Sequence, residues 1–128
     1  MNYLFDTHAL ITLFHQEPGY QVVQSLFEGI ESDQLKGFIS SISLTELRYL
    51  YKNRFGEKEA DARLLPVLKS GAEIIPVHTK IALVAGSIKK PGISVADAII
   101  AATALEISAK VVTGDRHFSY LGVEILSY

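Results

Sequence analysis

Short apolar runs alternate with longer amphipathic segments along this chain, and that alternation constrains its fold more than any other feature. The first run, "NYLF" at residues 2–5, is typical of a strand that is covered on both faces. Strands and helices that alternate in sequence pair in parallel through right-handed crossover connections. We therefore expect a three-layer α/β/α domain around a central, mostly parallel sheet.

The pattern predicts five strands and six helices. The predicted strands are 2–5, 37–42, 72–77, 110–113 and 123–126. The predicted helices are 7–16, 20–32, 43–55, 57–70, 79–90 and 94–109. Proline lacks the backbone N–H that a helix interior needs, so the fourth helix should bend or stop near Pro66. Helical spacing places Phe14 and Leu50 on buried faces.

Length and composition indicate one globular domain that spans residues 1–128. Hydrophobic residues make up 48% of the chain and charged residues 20%, a balance unlike that of disordered chains. The formal net charge of -2 excludes the strongly basic class of nucleic-acid binders. Contact with nucleic acid would therefore need a local basic surface or a metal ion.

Three absences lead us to expect a cytoplasmic protein with no membrane partner. The chain has no cysteine, so a disulfide framework and thiolate metal sites are excluded. No basic segment followed by an apolar stretch marks a signal peptide at the start of the sequence. No apolar run approaches the roughly 20 residues of a membrane span.

Four acidic residues fall where the predicted topology brings chain segments together. Asp6 ends the first strand, and Asp115 follows the fourth. Asp97 lies in the first turn of the most apolar helix, and Glu46 lies near the start of the helix after the second strand. The carboxyl ends of parallel strands share one edge of the sheet, and the helices that follow them start there. We therefore expect the four carboxylates to converge.

Each acid also has an ordinary structural interpretation. Asp6 is a favourable helix N-cap, and Ser94-x-x-Asp97 has the spacing of a capping box. Asp115 suits a turn, and Glu46 could be a solvated helix acid. Capping and surface roles alone, however, would not be expected to bring four acids to one edge of the sheet. Clustered carboxylates repel each other unless a cation intervenes, so the set predicts an Mg²⁺ or Mn²⁺ site that hydrolyses phosphodiesters.

Other polar residues near these acids are candidates for supporting roles. A hydroxyl of Thr7 or Thr113 could orient a carboxylate or a water, although a simple cap or strand-end role is as good an interpretation. Three cations lie close in sequence to the acids and could contact phosphate: Arg48, Lys52 and Arg116. The four histidines lack metal-ligand spacing, and no phosphate-binding P-loop motif is present.

Four segments occur in the order found in PIN domains: "FDTHALI", "SLTELRYL", "SVADAIIAATAL" and "VVTGDRHF". Over essentially its whole length the chain resembles the single-domain VapC-type toxins of toxin–antitoxin pairs. The resemblance implies a five-stranded parallel sheet and a ribonuclease that depends on Mg²⁺ or Mn²⁺. It also implies a homodimer and a cognate antitoxin whose C-terminal segment covers the active site.

Carried over by position, the acidic tetrad would be Asp6, Glu46, Asp97 and Asp115, and Thr113 would match the family's threonine before the last acid. Some PIN domains have a further acid shortly after that position, but here Arg116, His117 and Phe118 follow. The number of metal ions therefore stays open.

Three alternatives to a metal-dependent endoribonuclease toxin differ in their requirements. A catalytically weak or inactive PIN-like module that binds RNA or protein would keep the same fold and would differ only in turnover. A phosphatase that forms an aspartyl-phosphate normally needs a second aspartate where His8 stands. A receiver-like domain would need paired acids after the first strand and a lysine after the last strands, and neither is evident.

Overall fold

The computed structural model describes residues 1–128. Its strands are β1 (Asn2–Phe5), β2 (Lys36–Ser40), β3 (Glu73–Ile75), β4 (Lys110–Thr113) and β5 (Ile125–Ser127). Its α-helices are α1 (Thr7–Phe14), α2 (Tyr20–Glu31), α3 (Ser41–Phe55), α4 (Glu57–Leu68), α5 (Thr79–Ile88) and α6 (Val95–Ile107), and a 3₁₀ helix spans Arg116–Leu121. None of the helices combines the length and the apolar composition needed to cross a membrane.

All five strands form one parallel sheet in the order β3-β2-β1-β4-β5. The first strand is central, so Phe5 is paired with Ile39 on one side and with Val112 on the other. The chain runs outward from β1 in one direction through β2 and β3, then crosses to β4 and β5. This arrangement confirms the predicted three-layer fold, and the sheet is parallel throughout.

Helices cover both faces of the sheet, and successive residues of β1 point into separate cores. Phe5 belongs to a cluster with residues of α1, α2 and α3, where its ring stacks on that of Phe27 at a centroid distance of 4.3 Å. Leu4 belongs to the opposite cluster with Ile100 of α6 and Val111 of β4. Because both faces are buried, β1 is held rigidly up to its last residue.

Some boundaries differ from the sequence prediction. Ser41 and Ile42 were predicted to end the second strand, but α3 already begins at Ser41, because Ser40 caps it by accepting the Ile42 N–H at 3.3 Å. The last strand lies at Ile125–Ser127 rather than 123–126. The 3₁₀ helix was not predicted, since its six residues are too few to show helical periodicity.

Helix α4 ends at Leu68, close to Pro66 as predicted. One predicted detail of the helices is wrong. Phe14 and Leu50 are exposed rather than buried. Thr12 of α1 and Leu47 of α3 are buried. The sequence pattern therefore found the buried side of each helix but misplaced its edge.

Candidate active site

Asp6 occupies the end of the central strand and is 4% exposed. It is the N-cap of α1, where its Oδ1 accepts the Ala9 N–H at 2.7 Å. Its Oδ2 accepts a hydrogen bond from the Thr113 hydroxyl at 2.5 Å. Both carboxylate oxygens are therefore held in place, one by its own helix and one by the neighbouring strand.

Asp97 lies in the first turn of α6, as the third residue of the helix after its N-cap Ser94. Its own N–H donates to the Ser94 hydroxyl at 3.0 Å, so the capping serine fixes the start of the helix and with it the position of the acid. The helix N-terminus favours a negative charge at this place.

Glu46 and Asp115 reach the same edge from different elements. Glu46 lies in the second turn of α3, where its Oε1 is 2.5 Å from the Thr7 hydroxyl, which is also 3.0 Å from the Ser43 hydroxyl. Asp115 caps the 3₁₀ helix by accepting the His117 N–H at 2.9 Å. Its N–H donates to the Thr113 hydroxyl at 2.9 Å.

One cavity at the carboxyl edge of β1 and β4 contains all four acids. Its volume is about 450 Å³. Its lining residues are Asp6, Thr7, His8, Ile11, Glu46, Asp97, Gly114, Asp115 and Phe118. The convergence expected from the topology is thus present in the geometry, and we call this cavity the acid pocket.

The pocket disfavours negative charge in the absence of a cation. Burial raises the pKa of Asp6 from 3.8 to about 6, against the hydrogen bonds from Thr113 and Ala9, which lower it. Burial also raises the pKa of Asp97, and the nearby carboxylates Glu46 and Asp115 raise it further. A cation placed among these groups would favour their ionised forms.

The donor set fits a hydrated hard cation. All four acids offer carboxylate oxygens, the donors that Mg²⁺ and Mn²⁺ prefer. No three histidine, aspartate or glutamate side chains are close enough together to chelate an ion unaided. Mg²⁺ usually keeps several waters and binds through one or two carboxylates, so the open arrangement suits such an ion better than zinc.

The predicted supporting residues divide into two groups. Thr7 and Thr113 contact acids of the pocket, as described above. The predicted cations do not line it: the Arg48 guanidinium pairs with Glu57 at 2.7 Å and Asp61 at 3.0 Å. Lys52 and Arg116 do not line the pocket either: the Lys52 ammonium lies over the Tyr49 ring, and Arg116 begins the 3₁₀ helix. Their contact with RNA stays a prediction.

Tyr128 is a neighbour of the pocket that the sequence did not point to. Its hydroxyl lies 3.3 Å from Thr12 Oγ1 and 3.4 Å from His8 Nδ1. Its ring packs against Gly114 and would lie 3.5 Å from a Cβ there. The residue follows the last strand, and nothing in the local pattern indicates which element it contacts.

Comparison with known proteins places this geometry in a family. The model of the PIN domain matches residues 3–124. No protein with a curated description matches the chain in sequence.

Several solved structures share the fold. VapBC2 from Rickettsia felis, bound to a DNA fragment from its promoter, is 21% identical with a TM-score of 0.81, and the match covers 100% of this chain and 99% of that one. DNA-bound VapBC from Salmonella typhimurium is 23% identical with a TM-score of 0.79, over 99% and 98%. Mycobacterium tuberculosis VapC20, a toxin that cleaves the sarcin–ricin loop, is 18% identical with a TM-score of 0.73, over 98% and 99%. Because the family model spans nearly the whole sequence, the chain belongs to the PIN domain family.

Proposed function

We propose that this chain is a metal-dependent endoribonuclease, the toxin of a VapC-type toxin–antitoxin pair. The observation that carries the proposal is the convergence of four carboxylates from four separate elements in one pocket. We assign the catalytic and metal-binding roles to Asp6, Glu46, Asp97 and Asp115. The natural substrate of such a site is an RNA phosphodiester.

When bound, Mg²⁺ or Mn²⁺ activates a water and neutralises the charge that develops on the phosphate oxygens. The protein's own contribution is to orient the carboxylates. Thr113 fixes Asp6, and Thr7 fixes Glu46, each over 2.5 Å. Positioning of this kind reduces the reorganisation that catalysis would otherwise require.

The toxin assignment is supported by the similarity to structures of toxin–antitoxin complexes over nearly full chain lengths. We propose a cognate antitoxin that covers the acid pocket, a homodimer, and action in the cytoplasm, where cellular RNA is available.

The test is incubation of purified, antitoxin-free protein with a pool of cellular RNAs, including tRNA, in Mg²⁺ or Mn²⁺. Discrete fragments should form, and cleavage should stop with a chelator or in Asp97→Asn. The matched control is Asp61→Asn, the same substitution at an exposed acid on α4 that pairs with Arg48 outside the pocket. Cleavage that persists in Asp97→Asn would contradict the assignment.

A PIN-type binding module without turnover is the second candidate. The observation in its favour is that no three ligands form a ready chelating cluster. A folded protein that binds Mn²⁺ and RNA but yields no fragments from the pool would support the module over the nuclease.

A further inference from the structure

A second cleft lies beside the acid pocket and contains none of the four candidate catalytic acids. It has a volume of about 480 Å³ and lies between the connection from α5 to α6 and the 3₁₀ helix. Its lining residues are Lys90, Pro91, Gly92, Ile93, His117 and Tyr120. We call it the Tyr120 cleft.

The two cavities share the 3₁₀ helix as a wall. His117 lines the Tyr120 cleft, and its Nδ1 lies 2.9 Å from Asp115 Oδ1 in the acid pocket. Phe118, the next residue, lines the acid pocket. A strand whose phosphate sits among the acids would therefore reach the Tyr120 cleft within a short distance.

The Tyr120 ring is open to contact from solvent. Tyr120 is 65% exposed, so burial in the core does not account for an aromatic ring at this position. Its ring lies 5.7 Å from that of His117, at an interplanar angle of 40°. The Lys90 ammonium donates to the Tyr120 carbonyl at 2.9 Å, which ties the 3₁₀ helix to the opposite wall and holds the platform in place.

The charge of the cleft is opposite to that of the acid pocket. Lys90 is the one lining residue with a permanent charge, and no carboxylate lines the cleft. Lys89 precedes it, with its ammonium 3.4 Å from the Lys90 carbonyl. In a chain of net charge -2, this is a local basic surface next to the candidate catalytic acids.

We propose that the Tyr120 cleft binds a base of single-stranded RNA adjacent to the phosphate in the acid pocket, with the base stacked on Tyr120 and Lys90 close to the strand's backbone. Single-stranded nucleic acids are bound by this combination of aromatic faces and basic groups, and unpaired bases are the usual targets of RNA readers. The inference rests on the proposed ribonuclease function and adds a substrate subsite to it.

The first arm of the test measures binding without cleavage. A fluorescein-labelled, unstructured RNA oligonucleotide of mixed sequence is titrated with full-length protein in chelator, and fluorescence anisotropy gives Kd. Tyr120→Ala should weaken binding about tenfold, within the range for loss of one stacked base. Tyr120→Phe keeps the ring and should bind like the wild type.

The matched control is Tyr49→Ala, which removes another exposed tyrosine, 59% exposed, from α3 outside both cavities. It should leave Kd unchanged. Equal affinity of Tyr120→Ala and Tyr49→Ala would overturn the subsite.

The second arm separates the subsite from the nuclease. With Mg²⁺ and cleavable RNA, Tyr120→Ala should raise KM and leave kcat close to that of the wild type. Wild-type cleavage with no change of KM in Tyr120→Ala would remove the subsite and leave the proposed function standing. A wild-type protein that neither binds nor cleaves RNA would overturn both.

Discussion

Asp6 combines two roles that the sequence presented as alternatives. As a helix cap it accepts the Ala9 N–H, and as a pocket residue it presents its carboxylate to the cavity beside Asp97. The cap uses Oδ1, while Oδ2 is oriented by Thr113. A side chain held at both oxygens loses little entropy when it binds a further group, which suits a residue that must be positioned in advance.

The burial of Asp6 predicts a distinctive pH dependence of stability in metal-free protein. Its pKa is raised from 3.8 to about 6, so between these values the folded state binds the proton that the unfolded state has released. The contribution to stability is complete below pH 3.8 and is lost as the pH rises through about 6. At about 1.4 kcal/mol per pKa unit, the loss is about 3 kcal/mol.

Urea denaturation in chelator at several pH values gives the free energy of unfolding of the wild type and of Asp6→Asn. The asparagine stays neutral at every pH and remains a good N-cap. The wild type should lose stability relative to the variant between about pH 4 and pH 7. Parallel stability curves for the two proteins would show that Asp6 does not titrate as its burial implies.

Thr113 should be the most sensitive uncharged residue of the site. It is fully buried, donates to Asp6 and accepts the Asp115 N–H. Thr113→Val keeps the shape but leaves a buried carboxylate oxygen and an N–H without partners, at a cost of about 1–3 kcal/mol. Thr113→Ser keeps the hydroxyl and should retain most of the stability. Thermal denaturation compares the stabilities of the two variants. Equal stabilities would show that the Thr113 hydroxyl does not bridge Asp6 and the Asp115 N–H.

At the scale of elements, the position of α2 over the sheet depends on a glycine in β2. A Cβ at Gly37 would lie 2.2 Å from Ile30 Cδ1 and 3.2 Å from Phe5 Cε2. Both neighbours belong to the core beneath the helices. The end of the Ile30 side chain can shift, because Ile30 also lines a surface cavity beside Gly37, whereas the Phe5 ring is fully buried and cannot. The missing side chain lets the helix approach the strand closely.

Gly37→Ala should therefore destabilise the protein by about 1–3 kcal/mol through overpacking. Gly86→Ala is the matched control, because a Cβ at this exposed position in α5 meets nothing within 4 Å. In a helix, that change should stabilise by up to about 1 kcal/mol. The urea midpoints of both variants test this prediction. A shift of both midpoints in the same direction would contradict it.

Sequence patterns predicted which helices and strands exist better than they predicted where each one ends and which residues each helix buries. The N-cap of α6 was visible in Ser94-x-x-Asp97, and the structure has it there. Phe14 was misassigned because a helix with apolar residues on more than one side does not reveal which side faces the core. The 3₁₀ helix left no periodic signal, so the Tyr120 cleft was not foreseeable.

At the scale of the molecule, topology explains why the acids could be grouped without coordinates. Strands β1 and β4 are neighbours in the sheet, so Asp6 and Asp115 had to share an edge. The topology of the sheet does not predict the contacts that a chain end makes. Tyr128 contacts Thr12 and Gly114 because the last strand lies beside β4, and the bounds of that strand differ from the predicted 123–126.

Direct titration with Mn²⁺ tests most simply whether the acid pocket binds a divalent cation through its carboxylates. Free Mn²⁺ is followed by electron paramagnetic resonance with wild type, Asp97→Asn and Asp61→Asn, all without RNA or antitoxin. We expect saturable binding of Mn²⁺ to the wild type and to Asp61→Asn, and loss of that binding in Asp97→Asn. Equal binding by all three proteins, or no binding by the folded wild type, would contradict the assignment of these acids as metal ligands.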